Sequence, residues 1–256
     1  MNQIHDYIGV FDSGVGGISV LRHLRRTLPN ERFLYYGDSA NAPYGSRTTE
    51  QVQQLTLAAV EKMLEQGLKA LVLACNTATS AAVGLLREKY PELIIVGIEP
   101  ALKPAVDQFP GGHIGVMATE VTLREKKLEQ LLQRYGQAAS IVKIPAPGLV
   151  ELVEAGKAEG EEATAFLTRI LQPHIGRLDA LVLGCTHYPL AVKAIRQVLG
   201  PRVVLLDGGE GTARETKRRL ENSRLLRDGP GEILWQNSAE NQEIMTLCQT
   251  LLTQNP

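Results

Sequence analysis

Net charge is almost absent from this 256-residue sequence, which has 27 Lys and Arg residues against 28 Asp and Glu residues. Domains that bind nucleic acid or an anionic membrane surface carry a strong excess of basic residues. The composition therefore predicts no nucleic-acid partner and no membrane partner. Residues 1–6 also lack the basic region and the long apolar run of a signal peptide, so the expected location is the cytoplasm.

Long hydrophobic runs are missing as well. The best candidate for a membrane span is the uncharged stretch between Lys69 and Arg87, and its interior contains polar residues such as Asn76. A spanning helix needs about 20 predominantly apolar residues. We interpret this stretch as a buried strand that leads into a helix, so no membrane span is expected.

Cysteine and histidine are sparse too, with three and five residues respectively. The sequence has no Cys-x-x-Cys pair and its histidines are scattered, whereas a structural zinc site needs four ligands at close spacings. No lysine lies in a motif typical of a pyridoxal phosphate site. We therefore expect reduced cysteines, no metal site and no cofactor.

Short apolar runs alternate with longer segments of helical periodicity, a pattern that predicts an α/β protein with parallel sheets. One helix is predicted over 49–66, where apolar residues recur every three or four positions and a glycine follows. A short strand at 233–237 and a closing helix to 252 are predicted at the end of the chain. The other predicted strands are 7–11, 32–36, 70–74, 93–98, 113–117, 140–144, 180–184 and 202–206.

The sequence also contains an internal repeat. Residues 68–77 recur as 178–187, with Leu-Val-Leu and a following cysteine in common, and residues 8–13 recur as 114–119. Chance similarity between buried strands is the alternative, but the shared cysteine and the common order of the two pairs favour a duplication. We predict two pseudo-symmetric parallel-sheet α/β domains that face each other across a cleft. The predicted domains are 1–98 with 208–256, and 99–207.

Cys75 and Cys185 end the two matched strands and precede predicted helices. Ligands of open parallel sheets bind beyond the carboxyl ends of the strands, and a helix start attracts a carboxylate and favours a thiolate. Two cysteines on opposite sides of a cleft suit a two-base proton transfer, in which one thiolate removes a proton from a carbon and the other thiol delivers one to the opposite face. A single buried cysteine is more often a small hydrophobic residue, and Cys248 in the apolar tail is assigned to that class.

The glycine loop, residues 12–17, is similar to a dinucleotide-binding fingerprint, although Ser19 stands at its third glycine position. A nucleotide-binding module is therefore an alternative function. Asp12 and Ser13 are candidates to hold an ammonium group and orient a thiol, and Asp12 is equally a candidate helix N-cap. The polar residues after the two cysteines are predicted to cap helices. Those other than the histidine are also predicted to stabilise charge on a substrate carboxylate. The polar residues after the cysteines are Asn76, Thr77, Thr186 and His187.

Four motifs follow one another along the chain. They are Asp12-Ser13-Gly14-x-Gly16-Gly17, Asp38-Ser39-x-x-x-Pro43-Tyr44-Gly45, Ala74-Cys75-Asn76-Thr77-Ala78-Thr79 and Gly184-Cys185-Thr186-His187-Tyr188-Pro189-Leu190. Together they resemble the motifs of the bacterial glutamate racemases, members of the aspartate/glutamate racemase superfamily, over about residues 6 to 215. The resemblance implies a cofactor-independent isomerase, acting as a homodimer, that converts L-glutamate to D-glutamate for peptidoglycan synthesis.

The resemblance also implies roles for individual residues. Cys75 and Cys185 look like the two catalytic acid–base residues, and the supporting catalytic positions are matched by Asp12, Glu154 and His187. The positions that contact substrate are matched by Asp12, Ser13, Tyr44, Gly45, Asn76, Thr77, Thr119, Thr122, Thr186 and His187. Aspartate racemisation is the nearest alternative activity, and a non-catalytic amino-acid sensor is a third possibility.

Overall fold

A computed structural model describes residues 6–254, except for the side chains of residues 126 and 127, and contains two parallel β-sheets. The strands of the first sheet are β1 (Tyr7–Asp12), β2 (Arg32–Gly37), β3 (Leu68–Leu73), β4 (Ile94–Gly97) and β9 (Glu232–Asn237). Those of the second are β5 (His113–Ala118), β6 (Ser140–Pro145), β7 (Ala180–Leu183) and β8 (Val204–Asp207). The spatial orders are β4-β3-β1-β2-β9 and β6-β5-β7-β8.

Helices connect the strands and cover the sheets, as parallel pairing requires. They are α1 (Ile18–Thr27), α2 (Thr49–Leu64), α3 (Asn76–Lys89), α4 (Leu102–Gln108), α5 (Glu120–Arg124), α6 (Lys126–Tyr135), α7 (Leu149–Glu154), α8 (Glu161–Leu171), α9 (Val192–Leu199), α10 (Gly209–Asn222) and α11 (Gln242–Thr253). Within residues 6–254 no helix is both long and apolar enough to cross a membrane.

The two sheets share one strand order. Read in the opposite direction, the second sheet is β8-β7-β5-β6, and it matches β4-β3-β1-β2 of the first strand for strand. The repeated sequence segments form equivalent strands in this match, since β1 corresponds to β5 and β3 to β7. The two parallel-sheet α/β units predicted from the repeat are therefore confirmed. The domain boundaries at 98/99 and 207/208 stay predictions, although β9 does return to the first sheet beside β2.

All nine predicted strands are present, and each of their ends lies within two residues of the predicted position. The largest differences are at the starts of β3 and β8: β3 begins at Leu68 instead of residue 70, and β8 begins at Val204 instead of residue 202. Apolar runs show which residues are buried, whereas the pairing of Ala180 with Val204 decides where the β8 ladder begins. The helix predicted over 49–66 begins at Thr49 under a Thr48–Gln51 capping box and ends at Leu64.

One hydrophobic cluster spans both halves of the molecule. Val15 and Ile18, which follow β1, belong to the same buried cluster as Leu149, Val150 and Tyr188 of the second half. Two smaller clusters lie within the individual halves. The halves are therefore in close contact at the ends of their strands, where the site lies.

A buried ion pair fixes the chain segment that returns to the first sheet. Lys69 Nζ lies 2.5 Å from Glu31 Oε2 and donates a hydrogen bond to the carbonyl oxygen of Leu225 at 2.8 Å. Arg227 N donates to the other carboxylate oxygen of Glu31 at 3.0 Å. These contacts hold the segment between α10 and β9 against the amino-terminal ends of β2 and β3.

Candidate active site

Cys75 lies at the carboxyl end of β3 and caps α3. Its Sγ accepts a hydrogen bond from the backbone N–H of Ala78 at 3.5 Å and lies 3.5 Å from Ser13 Oγ. The prediction that Asn76 and Thr77 cap this helix is wrong, because they are its first two residues. The cysteine sulfur itself takes one of the free N–H groups of the first turn, as an N-cap acceptor does.

Cys185 follows β7, and the chain then forms a 3₁₀ turn, Tyr188–Ala191, before α9 begins. Cys185 therefore precedes a helix, as predicted, but α9 begins only at Val192, and the predicted side-chain cap from His187 is absent. Leu190 N donates to the carbonyl oxygen of His187 at 3.0 Å, the three-residue hydrogen bond that is typical of this tighter turn. Cys185 Sγ lies 3.7 Å from His187 Nδ1.

The two thiols line one cavity between the halves. The other lining residues are Ser13, Pro43, Tyr44, Gly45, Asn76 and Thr77 from the first half, and Thr119, Val150, Thr186 and His187 from the second. The volume of this cavity is about 10 Å³, roughly the space of one water molecule. The glutamate that the resemblance implies as substrate is several times larger than a water molecule, so a substrate of that size requires the halves to separate.

Asp12, Glu154 and Thr122 lie behind the lining residues instead of on the cavity wall. Asp12 Oδ1 accepts a hydrogen bond from Gly14 N at 3.0 Å, and Asp12 Oδ2 accepts one from Thr186 Oγ1 at 2.9 Å. The N-cap interpretation of Asp12 is wrong, because no side chain caps α1. The carboxylate instead forms a bond across the cleft to the second half.

A chain of polar contacts connects the glycine loop to Cys185. Val15 N donates to Glu154 Oε1 at 2.8 Å, and the same oxygen lies 2.5 Å from His187 Nε2. The other ring nitrogen of His187 faces the Cys185 sulfur. The backbone of the first half therefore contacts the group that adjoins the thiol of the second.

Glycine at positions 14 and 16 permits this close approach. A Cβ on Gly14 would lie 1.9 Å from Glu154 Oε1, and a Cβ on Gly16 would lie 2.4 Å from His187 Nδ1. In a dinucleotide fingerprint the space above such glycines receives a pyrophosphate, whereas here two side chains of the other half fill it. The structure therefore favours a polar contact across the cleft over a nucleotide site. Within residues 6–254 no group of three or more His, Cys, Asp and Glu side chains is arranged to hold a metal ion.

The model of the Asp/Glu/hydantoin racemase family matches residues 8–216 of the chain. The chain belongs to this family of isomerases. Glutamate racemase from Clostridium kluyveri (strain NBRC 12016) is 50% identical over 249 residues, which are 96% of each chain. Glutamate racemase isoform RacE1 from Bacillus anthracis superposes with a TM-score of 0.88 at 32% identity, covering 98% of this chain and 95% of that one. Escherichia coli glutamate racemase in complex with L-glutamate and the activator UDP-MurNAc-Ala superposes with a TM-score of 0.86 at 31% identity, covering 96% and 95%.

Burial controls the protonation of two groups in the first half of this racemase. It raises the pKa of Asp12 from 3.8 to about 6, although the His187 charge and two hydrogen bonds oppose the effect. It also raises the pKa of Cys75 to about 12, and the Asp12 charge adds to this increase. Cys75 is therefore a thiol at neutral pH.

In the second half of the racemase, the surroundings of His187 favour the charged form of its ring. Burial lowers the pKa of His187, but its hydrogen bonds with Cys185 and Glu154 and their charges outweigh burial, so the pKa lies well above its ordinary value. The ring is an imidazolium at neutral pH. Its positive charge stabilises negative charge on the neighbouring sulfur.

Three buried threonines form a hydroxyl cluster that bridges the halves. Thr77 Oγ1 of the first half lies 3.2 Å from Thr119 Oγ1 and 3.3 Å from Thr122 Oγ1 of the second, and Thr119 donates to Thr122 at 3.0 Å. Each hydroxyl has one proton to donate and two lone pairs to accept with. The three can therefore bond to one another in a closed cleft and turn toward a carboxylate that enters it.

Sequence reasoning missed several residues around the site. Pro43 and Val150 line the cavity, Tyr35 Oη donates to the carbonyl oxygen of Gly14 at 2.7 Å, and Asp38 Oδ2 accepts a hydrogen bond at 2.6 Å from Tyr44, which was itself a predicted site residue. Asp38 and Pro43 belong to one of the four motifs of the family resemblance, and this membership is the signal that could have identified them as site residues. Tyr35 and Val150 lie in ordinary strand and helix patterns, which carry no comparable signal.

Proposed function

We propose that this racemase interconverts L- and D-glutamate by a two-base mechanism in which Cys75 and Cys185 are the acid–base residues. One observation carries the proposal: two thiols from matched positions of a duplicated fold line the same cavity. The 50% identity to a protein named glutamate racemase supports glutamate as the substrate. The L-glutamate bound to the Escherichia coli relative supports it as well.

The two thiols begin the reaction in different protonation states. We assign Cys185, which lies 3.7 Å from His187 Nδ1, as the base, and Cys75 as the acid, because burial raises the pKa of Cys75 to about 12. The Cys185 sulfur takes the α-proton, the electron pair of the C–H bond stays on the α-carbon, and the Cys75 S–H proton then bonds to the opposite face. The product enzyme has a Cys75 thiolate and a Cys185 thiol, and it is the form that converts the other enantiomer.

Polar groups around the cavity stabilise the charge that develops on the α-carboxylate. The amino-terminal end of α3 lies beside Cys75 and supplies positive dipole ends, and Asn76 supplies a side-chain donor. The Thr186 hydroxyl donates its one proton to Asp12 and holds that carboxylate in place. The Asn76 Oδ1 atom is buried without a hydrogen-bond partner among residues 6–254. We assign that oxygen to the substrate ammonium group, together with the charge of Asp12 behind it.

We assign the hydroxyl cluster of Thr77, Thr119 and Thr122 to the side-chain carboxylate of the substrate. Hydroxyl donors from both halves on one carboxylate would also hold the cleft closed around the bound amino acid. The reaction needs no cofactor in this proposal, because thiols and hydrogen-bond donors supply the proton transfer and the charge stabilisation. The product D-glutamate would serve peptidoglycan synthesis, and we expect the active protein to be a homodimer, which size-exclusion chromatography with light scattering tests.

The test follows L-glutamate in D₂O without added cofactor. We expect loss of the α-proton NMR signal together with loss of optical activity. Cys75→Ser and Cys185→Ser should each lower the racemisation rate by at least about 100-fold, the smallest contribution usual for a positioned acid or base. Cys248→Ser is the matched control, because Cys248 is a buried free cysteine in α11 that does not line the cavity.

The outcomes separate the parts of the proposal. Turnover retained in either cavity variant contradicts the two-thiol mechanism. Turnover of aspartate in preference to glutamate contradicts the assigned substrate while leaving the mechanism intact. Glutamate binding without exchange of the α-proton contradicts catalysis altogether.

A further inference from the structure

The first half of the molecule holds Thr186 at two points. Its side-chain Oγ1 donates to Asp12 Oδ2 at 2.9 Å, and its backbone carbonyl oxygen accepts a hydrogen bond from Ser19 Oγ at 2.9 Å. Thr186 directly follows Cys185 in the chain. The two bonds of Thr186 therefore fix the position of Cys185 relative to the first half.

Ser19 has a second acceptor within the same distance. Its Oγ also lies 2.9 Å from the carbonyl oxygen of Gly16, three residues earlier at the start of α1. A hydroxyl has one proton, so these two carbonyl groups compete for it or share it. Ser19 is 5% exposed, so no alternative partner from solvent is available while the cleft is closed.

We propose that Ser19 is a positioning residue that stabilises the closed cleft by donating its hydroxyl to the backbone of Thr186. The halves separate when a substrate enters, and the hydroxyl then donates to Gly16 alone. A buried donor that loses its only acceptor costs free energy, and the second acceptor removes this cost from the open state. Ser19 favours closure because the closed state buries the carbonyl oxygen of Thr186, which accepts its hydrogen bond there from the Ser19 hydroxyl and would be left unpaired without it.

This inference relies on the proposed function only for the role of Cys185 as an acid–base group. The contact between Ser19 and Thr186 is a property of the fold. The experiment therefore measures opening of the cleft directly and does not depend on racemisation.

Ser19→Ala removes the hydroxyl and keeps α1, since alanine is the most favourable residue in a helix. The three cysteines of the chain report on the result when iodoacetamide alkylation is followed at each by peptide mass spectrometry. Cys75 and Cys185 are buried at the closed cleft and become accessible when it opens, whereas Cys248 is buried in α11 and becomes accessible only when that region unfolds. The ratio of their rates separates cleft opening from unfolding.

We expect Ser19→Ala to raise the alkylation rates of Cys75 and Cys185 by about two- to ten-fold, the range that the net contribution of one hydrogen bond gives. The Cys248 rate should not change. Thr216→Val is the matched control, because Thr216 is a buried hydroxyl in α10 that donates only to Thr212 of its own helix. In that variant, the alkylation rates of Cys75 and Cys185 relative to the rate of Cys248 should keep their wild-type values.

Ser19→Thr adds a second test because it keeps the hydroxyl, and it should return the cleft thiols to within about two-fold of their wild-type rates. Equal acceleration of all three cysteines in Ser19→Ala would mean that Ser19 contributes only to general stability. Unchanged rates at Cys75 and Cys185 would mean that the hydroxyl serves Gly16 in the closed state. Either result overturns the proposal.

Discussion

Substitution of Gly14 by alanine tests whether the contact between the glycine loop and Glu154 is needed for activity. Gly14 is not among the residues with a positive φ, so alanine can adopt its backbone conformation. The added Cβ, however, would lie 1.9 Å from Glu154 Oε1 and 2.7 Å from Glu154 Cδ. The carboxylate must therefore move by more than 1 Å, which breaks its bonds with Val15 and His187.

The size of the effect follows from these two bonds. Hydrogen bonds to charged groups contribute about 1.5–3 kcal/mol each, so their loss costs up to about 6 kcal/mol. The Glu154 side chain is 19% exposed and regains part of this energy from water, which places the expected loss near the lower end, at about 3 kcal/mol. A cost of that size in the closed state lowers kcat/KM by about 100-fold.

The assay compares kcat/KM for racemisation and the midpoint of urea unfolding in Gly14→Ala and Gly84→Ala. Gly84 lies in α3 with no atom within 4 Å of the added Cβ, so alanine there should stabilise the protein by about 1 kcal/mol and leave kcat/KM unchanged. Wild-type kcat/KM in Gly14→Ala would refute the reasoning. A loss of activity matched by general unfolding would refute it too, since the clash is confined to the cleft.

Two further predictions concern stability. Because burial raises the pKa of Asp12 from 3.8 to about 6, protonation of Asp12 favours the folded state below pH 4, and this stabilisation disappears as the pH rises to 6. Wild type should therefore lose up to about 3 kcal/mol of unfolding free energy between pH 4 and 6 that Asp12→Asn does not lose, and the difference between the two proteins should be constant above pH 6. A difference in urea-unfolding free energy that does not change with pH contradicts the raised pKa of Asp12. Lys69→Met leaves the buried carboxylate of Glu31 without its cation and should cost about 3–5 kcal/mol in the same assay. The exposed pair of Lys89 and Glu61 is the control, with a loss below about 1 kcal/mol for Lys89→Met, and equal losses would contradict the argument.

The sequence predicted the strands and the cysteines for reasons that can be named. The run Ala180–Leu183 is fully buried on both faces of a parallel sheet, so it appears in the sequence as an uninterrupted apolar stretch. Cys75 and Cys185 stood out because the repeat pairs them, and one buried cysteine alone would not have done so. The strand ends were less accurate, because a ladder ends where its neighbour ends, and that depends on register.

Contacts across the cleft were beyond sequence reasoning. Val15 donates to Glu154 from 139 positions away, and the bond uses a backbone N–H group that every residue except proline has. The glycine loop was recognisable as a close-approach motif, but its composition does not distinguish a phosphate from a carboxylate as the approaching group. The capping role of the Cys75 sulfur was also missed. The usual N-caps are side chains with a polar oxygen, and Asn76 and Thr77, which directly follow Cys75, have such side chains.

The duplication explains both the likeness of the two thiols and the difference between them. Equivalent strands bring Cys75 and Cys185 to one cavity, yet the repeat stops matching directly after each cysteine, where Asn-Thr in one copy becomes Thr-His in the other. The proposed two-base mechanism needs one thiolate and one thiol at a time, because two thiolates leave no acid to return a proton and repel each other. The imidazolium beside Cys185 and the burial of Cys75, which raises the pKa of its thiol, meet that requirement. The fold thus supplies the symmetry of position, and the residues that depart from the repeat supply the asymmetry of charge.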